Sequence, residues 1–262
     1  MNGNIFKKEY SIGEILSDAW GLFINNFKLI LWITLIVYIP LNIINELISV
    51  SAPADPEMVA LYAWPFFATI IITSLIGIVA TLAIAFVVKY RVENKEIGLG
   101  EALKKGFSRW VPAIGTSLLA GIFLIGLYLL LIVPGIIFSV YWTFAVYVVA
   151  LNNKAGLGAL KHSKAIVKGR WWKVVGYSLV FGLILGGVML GIMMVIGVPI
   201  SLLTLLIGEN VVVNVVLSTI IDIPISFFTV LSVVFFINFD NNRVQKVEEK
   251  LVQKPNQVKN PY

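Results

Sequence analysis

The sequence predicts an all-α integral membrane protein: six transmembrane helices with about three interfacial helices on the cytoplasmic side. Three observations carry that prediction. Of the 262 residues, 59% are hydrophobic and only 13% charged, with a mean hydropathy of +0.93; an ordinary soluble domain is about 45–50% apolar and about 25% charged. Six long apolar segments run through the chain, and all 20 Lys and Arg lie on one side of them. A soluble fold of this size could not hide so much apolar surface, so lipid must be part of its solvent.

Composition also excludes chemistry. A water-soluble enzyme, a nucleic-acid-binding domain and a disordered chain are all ruled out by it. With no cysteine there are no disulfides, thiolate metal sites or cysteine nucleophiles. The single histidine, His162, excludes any mechanism that needs two. A net charge of +6 would point to nucleic acid in a soluble protein, but here its distribution points to lipid headgroups.

The apolar segments cover residues 29–50, 65–88, 111–131, 134–151, 174–207 and 211–239. A spanning helix needs about 20 apolar residues, which the first three supply and the fourth nearly does. The last two are overlong and carry expected breaks at Gly197–Val198–Pro199 and Asp222–Ile223–Pro224. Residues 111–151 have basic flanks at both ends, so they must cross twice, with the turn expected at Pro134–Gly135. Three of the basic residues precede the first span, six lie between spans two and three, six between four and five, and five after the last. By the positive-inside rule both termini are then cytoplasmic. The first apolar run, 22 residues, exceeds the 7–15 of a cleavable signal peptide, so it is read as an uncleaved anchor. Residues 1–240 form one polytopic membrane domain, and 241–262 read as a polar cytoplasmic tail expected to be disordered.

Before each odd-numbered span stands an amphipathic stretch. The first starts at Ser11 with Glu14 three residues on, a capping-box signature, and its Ile12, Ile15, Leu16, Ala19, Phe23 and Phe27 recur at helical spacing. The second runs from Gly98 to Trp110 with Lys104, Lys105 and Arg109 opposite its apolar residues. The third runs from Gly156 to Trp171 with Lys161, Lys164, Lys168 and Arg170 opposite. Such helices lie in the headgroup plane, apolar face down. Two readings stand side by side: a threefold internal repeat of interfacial helix, span, turn and span, or three unrelated amphipathic linkers.

Pro134–Gly135 between two apolar runs, then Ala159–Leu160–Lys161–His162–Ser163–Lys164–Ala165–Ile166–Val167–Lys168–Gly169 leading to Trp171, resembles a prokaryotic family. So do the opening Ile12–Gly13–Glu14–Ile15–Leu16, Pro224, and Phe239–Asp240 through Arg243. It is the glycerophosphoryl diester phosphodiesterase membrane-domain family, which precedes a catalytic domain in membrane-anchored phosphodiesterases and has stand-alone relatives of unknown function. The resemblance implies a multi-pass protein of the cell membrane, expected here as the stand-alone form without the catalytic domain. Phosphodiesterases of that class use histidines and clustered acids around a metal, and these residues offer one histidine, so the activity is not carried over.

The sites follow from position. Asp222 lies well inside the last span, where an ionised carboxylate costs several kcal/mol and commonly marks an ion, proton or substrate path. The alternative is local: Pro224 weakens the helix, and Asp222 caps the half-helix that restarts there. The stretch from Lys154 to Lys173 holds six basic residues, no acid, and Trp171–Trp172. Lys161, Lys164, Lys168, Arg170, Trp171 and Trp172 are therefore the candidate contact for anionic headgroups, against a plain topological role. Gly182, Gly186, Gly187 and Gly191 give small-xxx-small frames for a neighbouring helix or a second copy. His162, among lysines, reads as a surface residue. No Walker loop, HExxH or GxSxG motif is present, so neither cofactor, metal nor catalytic residue is assigned. Three function classes remain: a non-enzymatic module organising lipids or partner proteins, a transporter or channel using Asp222, and a membrane-embedded enzyme, for which no catalytic constellation is visible.

Overall fold

The computed structural model describes residues 8–50, 56–208 and 210–253. The acids Asp55 and Glu209 and the chain beyond residue 253 lie outside the described residues. Every described element is helical: α1 (Ile12–Asn25), α2 (Phe27–Val50), α3 (Pro56–Val92), α4 (Leu99–Ser108), α5 (Trp110–Leu130), α6 (Ile132–Tyr141), α7 (Ala145–Leu151), α8 (Gly156–Val167), α9 (Trp171–Ile192), α10 (Val198–Ile207) and α11 (Val211–Gln253). Six stretches are long and apolar enough to cross a membrane: Phe27–Ser49, Phe67–Val92, Trp110–Leu130, Ile132–Leu151, Trp171–Thr204 and Val211–Gln245. They coincide with the six apolar segments.

Local chemistry sets the helix ends. Ser11 Oγ accepts from the Glu14 N–H at 3.4 Å while Glu14 Oε2 accepts from the Ser11 N–H at 2.9 Å, the reciprocal capping box. Lys8 closes on Glu14 at 2.6 Å. Hydrogen bonds from Lys8 and Ser11 hold the Glu14 carboxyl well below the usual range, at about 2. The turn between spans three and four falls at Leu131, which is extended (φ −157°), not at Pro134–Gly135. Pro134 is instead the third residue of α6, where an N–H has no intrahelical acceptor to lose. Gly135 is needed because a Cβ there would strike the Tyr128 ring across the turn.

Two expected breaks are absent. Between α9 and α10 the chain stays helical through a π turn, Met193–Gly197, just ahead of Pro199. The wider turn accommodates a residue with no N–H to give, so the helix continues through it. At Pro224, α11 continues without interruption, so Asp222 does not cap a restarted half-helix. The boundary at residue 240 is no helix end either, because α11 carries on to Gln253 and buries Asp240 and Asn242 on the way.

One break was not expected. Span four is bent at Trp142–Phe144 between α6 and α7. The backbone groups freed there are met by one buried side chain of α8: Ser163 Oγ donates to the Tyr141 carbonyl at 2.7 Å and accepts the Phe144 N–H at 3.2 Å.

The core gathers where α2 and α3 pack against α11, with α1 laid on α11, α4 on α3, and α8 against α5, α6 and α7. Its centre is aromatic: Phe144, Tyr177, Phe181, Phe235 and Phe239 stack largely edge to face, with centroids as close as 4.6 Å. The three amphipathic helices therefore bury part of their apolar faces in protein, while Trp20, Phe107 and Leu157 stay exposed. Ile15, Ala19, Leu22 and Phe23 of α1 are buried, as are Ala102 and Gly106 of α4 and Ala159, Leu160, Ile166 and Val167 of α8. Their order before spans one, three and five recurs, while their packing partners differ. By contrast α5, α9 and α10 leave most of their apolar surface outward, as lipid-facing helices do; Leu206 is 83% exposed.

Candidate functional site

Asp222 faces α2 from the twelfth residue of α11 and is 8% exposed. Its Oδ2 accepts from Asn42 Nδ2 at 2.9 Å, and the same amide reaches Thr219 Oγ1 at 3.3 Å. The polar contacts continue along this seam. Thr34 and Ser226 hydroxyls meet at 2.6 Å, and Asn214 donates to Glu46 at 2.8 Å. Among the described residues no cation pairs with Asp222. The signal for its partner was in the sequence: Thr34, Tyr38, Asn42 and Glu46 recur every fourth residue in a mostly apolar span, one face of a helix.

The basic stretch divides in two. Arg170 turns inward, contrary to the expected lipid contact. Its Nη2 donates to the Ile166 and Phe239 carbonyls at 2.8 and 3.0 Å, its guanidinium lies 4.6 Å from the Phe239 ring, and Glu9 is 3.8 Å away. The reason is local: α8 ends at Val167 and Gly169 (φ +84°) swings the chain, so Arg170 does not continue the face of Lys161 and Lys164. Lys173 pairs with Glu9 at 3.1 Å, and Lys154 with His162 at 2.9 Å. That leaves Lys161, Lys164 and Lys168, and among the described residues no carboxylate lies within ion-pair distance of them. Lys161 and Lys168 are exposed; Lys164 rests over the Phe138 and Tyr141 rings at 4.8 and 5.3 Å. Trp171 is half-buried, its Nε1 donating to the Ile137 carbonyl at 3.2 Å, whereas Trp172 is 79% exposed.

His162 is not a surface residue. Its side chain is 11% exposed and its Nε2 lies 2.9 Å from Asp240 Oδ1. Asn152 Nδ2 donates to Asp240 Oδ2 at 2.9 Å, and Arg243 Nη1 stands 3.5 Å from His162 Nδ1. Because Lys154 and Arg243 both bring N–H donors to Nδ1, the contacts are satisfied by the neutral ring with its proton on Nε2, donated to Asp240. This cluster joins α8, α11 and the chain after α7 at the end of the bundle that also holds Glu9, Arg170 and Lys173. Sequence reasoning missed it because its members are 78 and 88 residues apart. A cleft of about 230 Å³ adjoins it, lined by Lys89, Glu93, Asn152, Asp240 and Asn241 over an apolar floor.

The glycines of span five meet nothing: a Cβ at Gly182, Gly186, Gly187 or Gly191 would find no atom within 4 Å, so no described helix of this chain uses them. No protein-family model, curated protein or solved structure matches this chain.

Proposed function

We propose that this multi-pass membrane protein is a non-enzymatic module whose basic end faces the cytoplasm and holds anionic lipid. The observation that carries the reading is the division of the basic residues. Arg170, Lys173 and Lys154 are consumed by internal contacts, while Lys161 and Lys164 on α8 and Lys168 at its C-cap have no described carboxylate beside them. A lysine near an anionic leaflet contributes about 1 kcal/mol to lipid attraction. The resemblance to the phosphodiesterase membrane-domain family agrees with a place in a prokaryotic cell membrane, and remains part of the proposal.

The test is the lipid that stays with the full-length chain on gentle extraction. Anionic phospholipid should be enriched over bulk membrane, and Lys161→Gln/Lys164→Gln/Lys168→Gln should abolish that enrichment. Enrichment unchanged by the triple substitution would refute the reading. Orientation is checked with single cysteines on the naturally cysteine-free chain: Asn210→Cys should react with an impermeant thiol reagent from outside, and Lys95→Cys should not.

A second reading, passage of a small solute or ion past Asp222, is favoured by that carboxylate lying in an apolar bundle with no described cation near it. Against it, Asp222 is 8% exposed and tied to α2 by the Asn42 amide. A flux in vesicles that disappears with Asp222→Asn would make this the better reading.

A further inference from the structure

Beside the free lysines lies a groove between α6 and α9. It has a volume of about 420 Å³ and is lined by Val133, Ile136, Ile137 and Tyr141 of α6 and by Trp171 and Trp172 of α9. That is within the range of small-molecule sites, and every lining side chain is apolar or aromatic. Its apolar walls face outward: Val133, Ile136 and Trp172 are all exposed. At one rim stands Tyr141, and 5.3 Å from its ring is the Lys164 ammonium. Lys168 follows one turn later, its N–H bonded to the Lys164 carbonyl at 2.9 Å. Neither α6 nor α8 contains an acidic residue.

We infer that this groove seats an acyl chain of one anionic phospholipid, whose headgroup lies against Lys164 and Lys168. The inference rests on the lipid-holding reading above and adds to it a defined, single site. Charge chooses among occupants. An apolar slot at membrane depth takes hydrocarbon of any origin, but only an anionic headgroup at this rim meets the two lysines. A second copy in the same membrane orientation would bring its own basic end against this one, and like charges repel. The Trp171–Trp172 pair, with rings 4.7 Å apart, is amphipathic and suits the boundary between chain and headgroup.

The experiment is native mass spectrometry of the full-length chain in mild detergent, titrated with dioleoyl phosphatidylglycerol or dioleoyl phosphatidylcholine. One phosphatidylglycerol should be retained per chain in preference to phosphatidylcholine. Lys164→Gln/Lys168→Gln should lower that preference by about fivefold or more per lysine. Ile136→Trp, which fills the groove from an exposed position, should reduce retention of both lipids, and Trp172→Ala, which removes a wall, should do the same without adding bulk. If the lysine variant lowers the preference but both groove variants retain lipid like the wild type, the groove is refuted while the lipid-holding reading survives. If the lysine variant changes nothing, both fail. A dimer that Ile136→Trp converts to monomer, with lipid retention unaltered, would give the groove to a second copy and overturn the inference.

Discussion

Asp222 and Asp240 stand on one helix and, five turns apart (about 27 Å at 1.5 Å per residue), on the same face of it, yet they are satisfied by opposite means. Asp222 is met by neutral groups, an amide from α2 and the hydroxyl-rich seam around it. Asp240 accepts from two donors at once, one on each oxygen, with the Arg243 and Arg170 charges close by. Depth accounts for the difference. A lysine or arginine carried into the apolar middle costs several kcal/mol, so a deep carboxylate is held by side chains that cost little to bury. At the end of the bundle the charged heads keep some contact with water, and cations can be recruited.

The sharpest way to break the comparison is to substitute both acids with asparagine. An amide has one acceptor oxygen, so Asp240→Asn sets an NH₂ against a donor from either His162 or Asn152 and removes the charge facing Arg243. Thermal unfolding in detergent should show a loss of up to about 3 kcal/mol. Asp222→Asn keeps an acceptor for Asn42 and should cost under about 1 kcal/mol, the usual scale of polar contacts between membrane helices. Equal losses would show that depth does not separate the two sites.

Ser163→Ala sharpens the role of α8 in building the basic end. It leaves a buried N–H at Phe144 and a carbonyl at Tyr141 unpaired, and should cost about 2 kcal/mol by the same measurement. Asp222→Leu comes next. It strands the Asn42 amide but replaces a carboxylate by a hydrocarbon in an apolar seam, so the net loss should be about 1 kcal/mol. A larger loss, near that of Asp240→Asn, would mean the seam is as tightly coupled as the charged cluster.

The smallest effect belongs to Glu14, partly exposed at the start of α1. Its folded value, about 2, is below the ordinary 4.5, so its contribution is present above about pH 4.5 and lost as pH falls toward 2. Wild type and Glu14→Gln, which keeps the capping box, should differ in melting temperature at pH 6 and converge only as the pH falls through 2. A difference independent of pH would remove the Lys8 pairing as its cause.

Much of this architecture was legible without coordinates. Apolar length gave the six spans, and the Ser11–Glu14 spacing gave the start of α1, because both depend on short-range chemistry. Proline was the weak guide. Pro199 and Pro224 each lack a donor, but a π turn absorbs the first and α11 runs straight through the second, and the cost is set by surroundings rather than by the residue. The bend at Trp142–Phe144 was invisible because what stabilises it, Ser163, is contributed by another helix. Arg170 was assigned to the lipid face for want of knowing that the chain turns at Gly169.

By itself the sequence determined the solvent, the number of crossings and the gathering of positive charge at one side, since each is a sum over residues and needs no contact map. Only the tertiary structure decided what each charge does. Whether a lysine meets a carboxylate or stands free depends on where Glu9 and Asp240 arrive, and those residues come from opposite ends of the chain. The same packing decided which apolar residues of the amphipathic helices face protein: an apolar stripe is stabilised by any apolar neighbour, and hydrophobic burial carries no direction of its own.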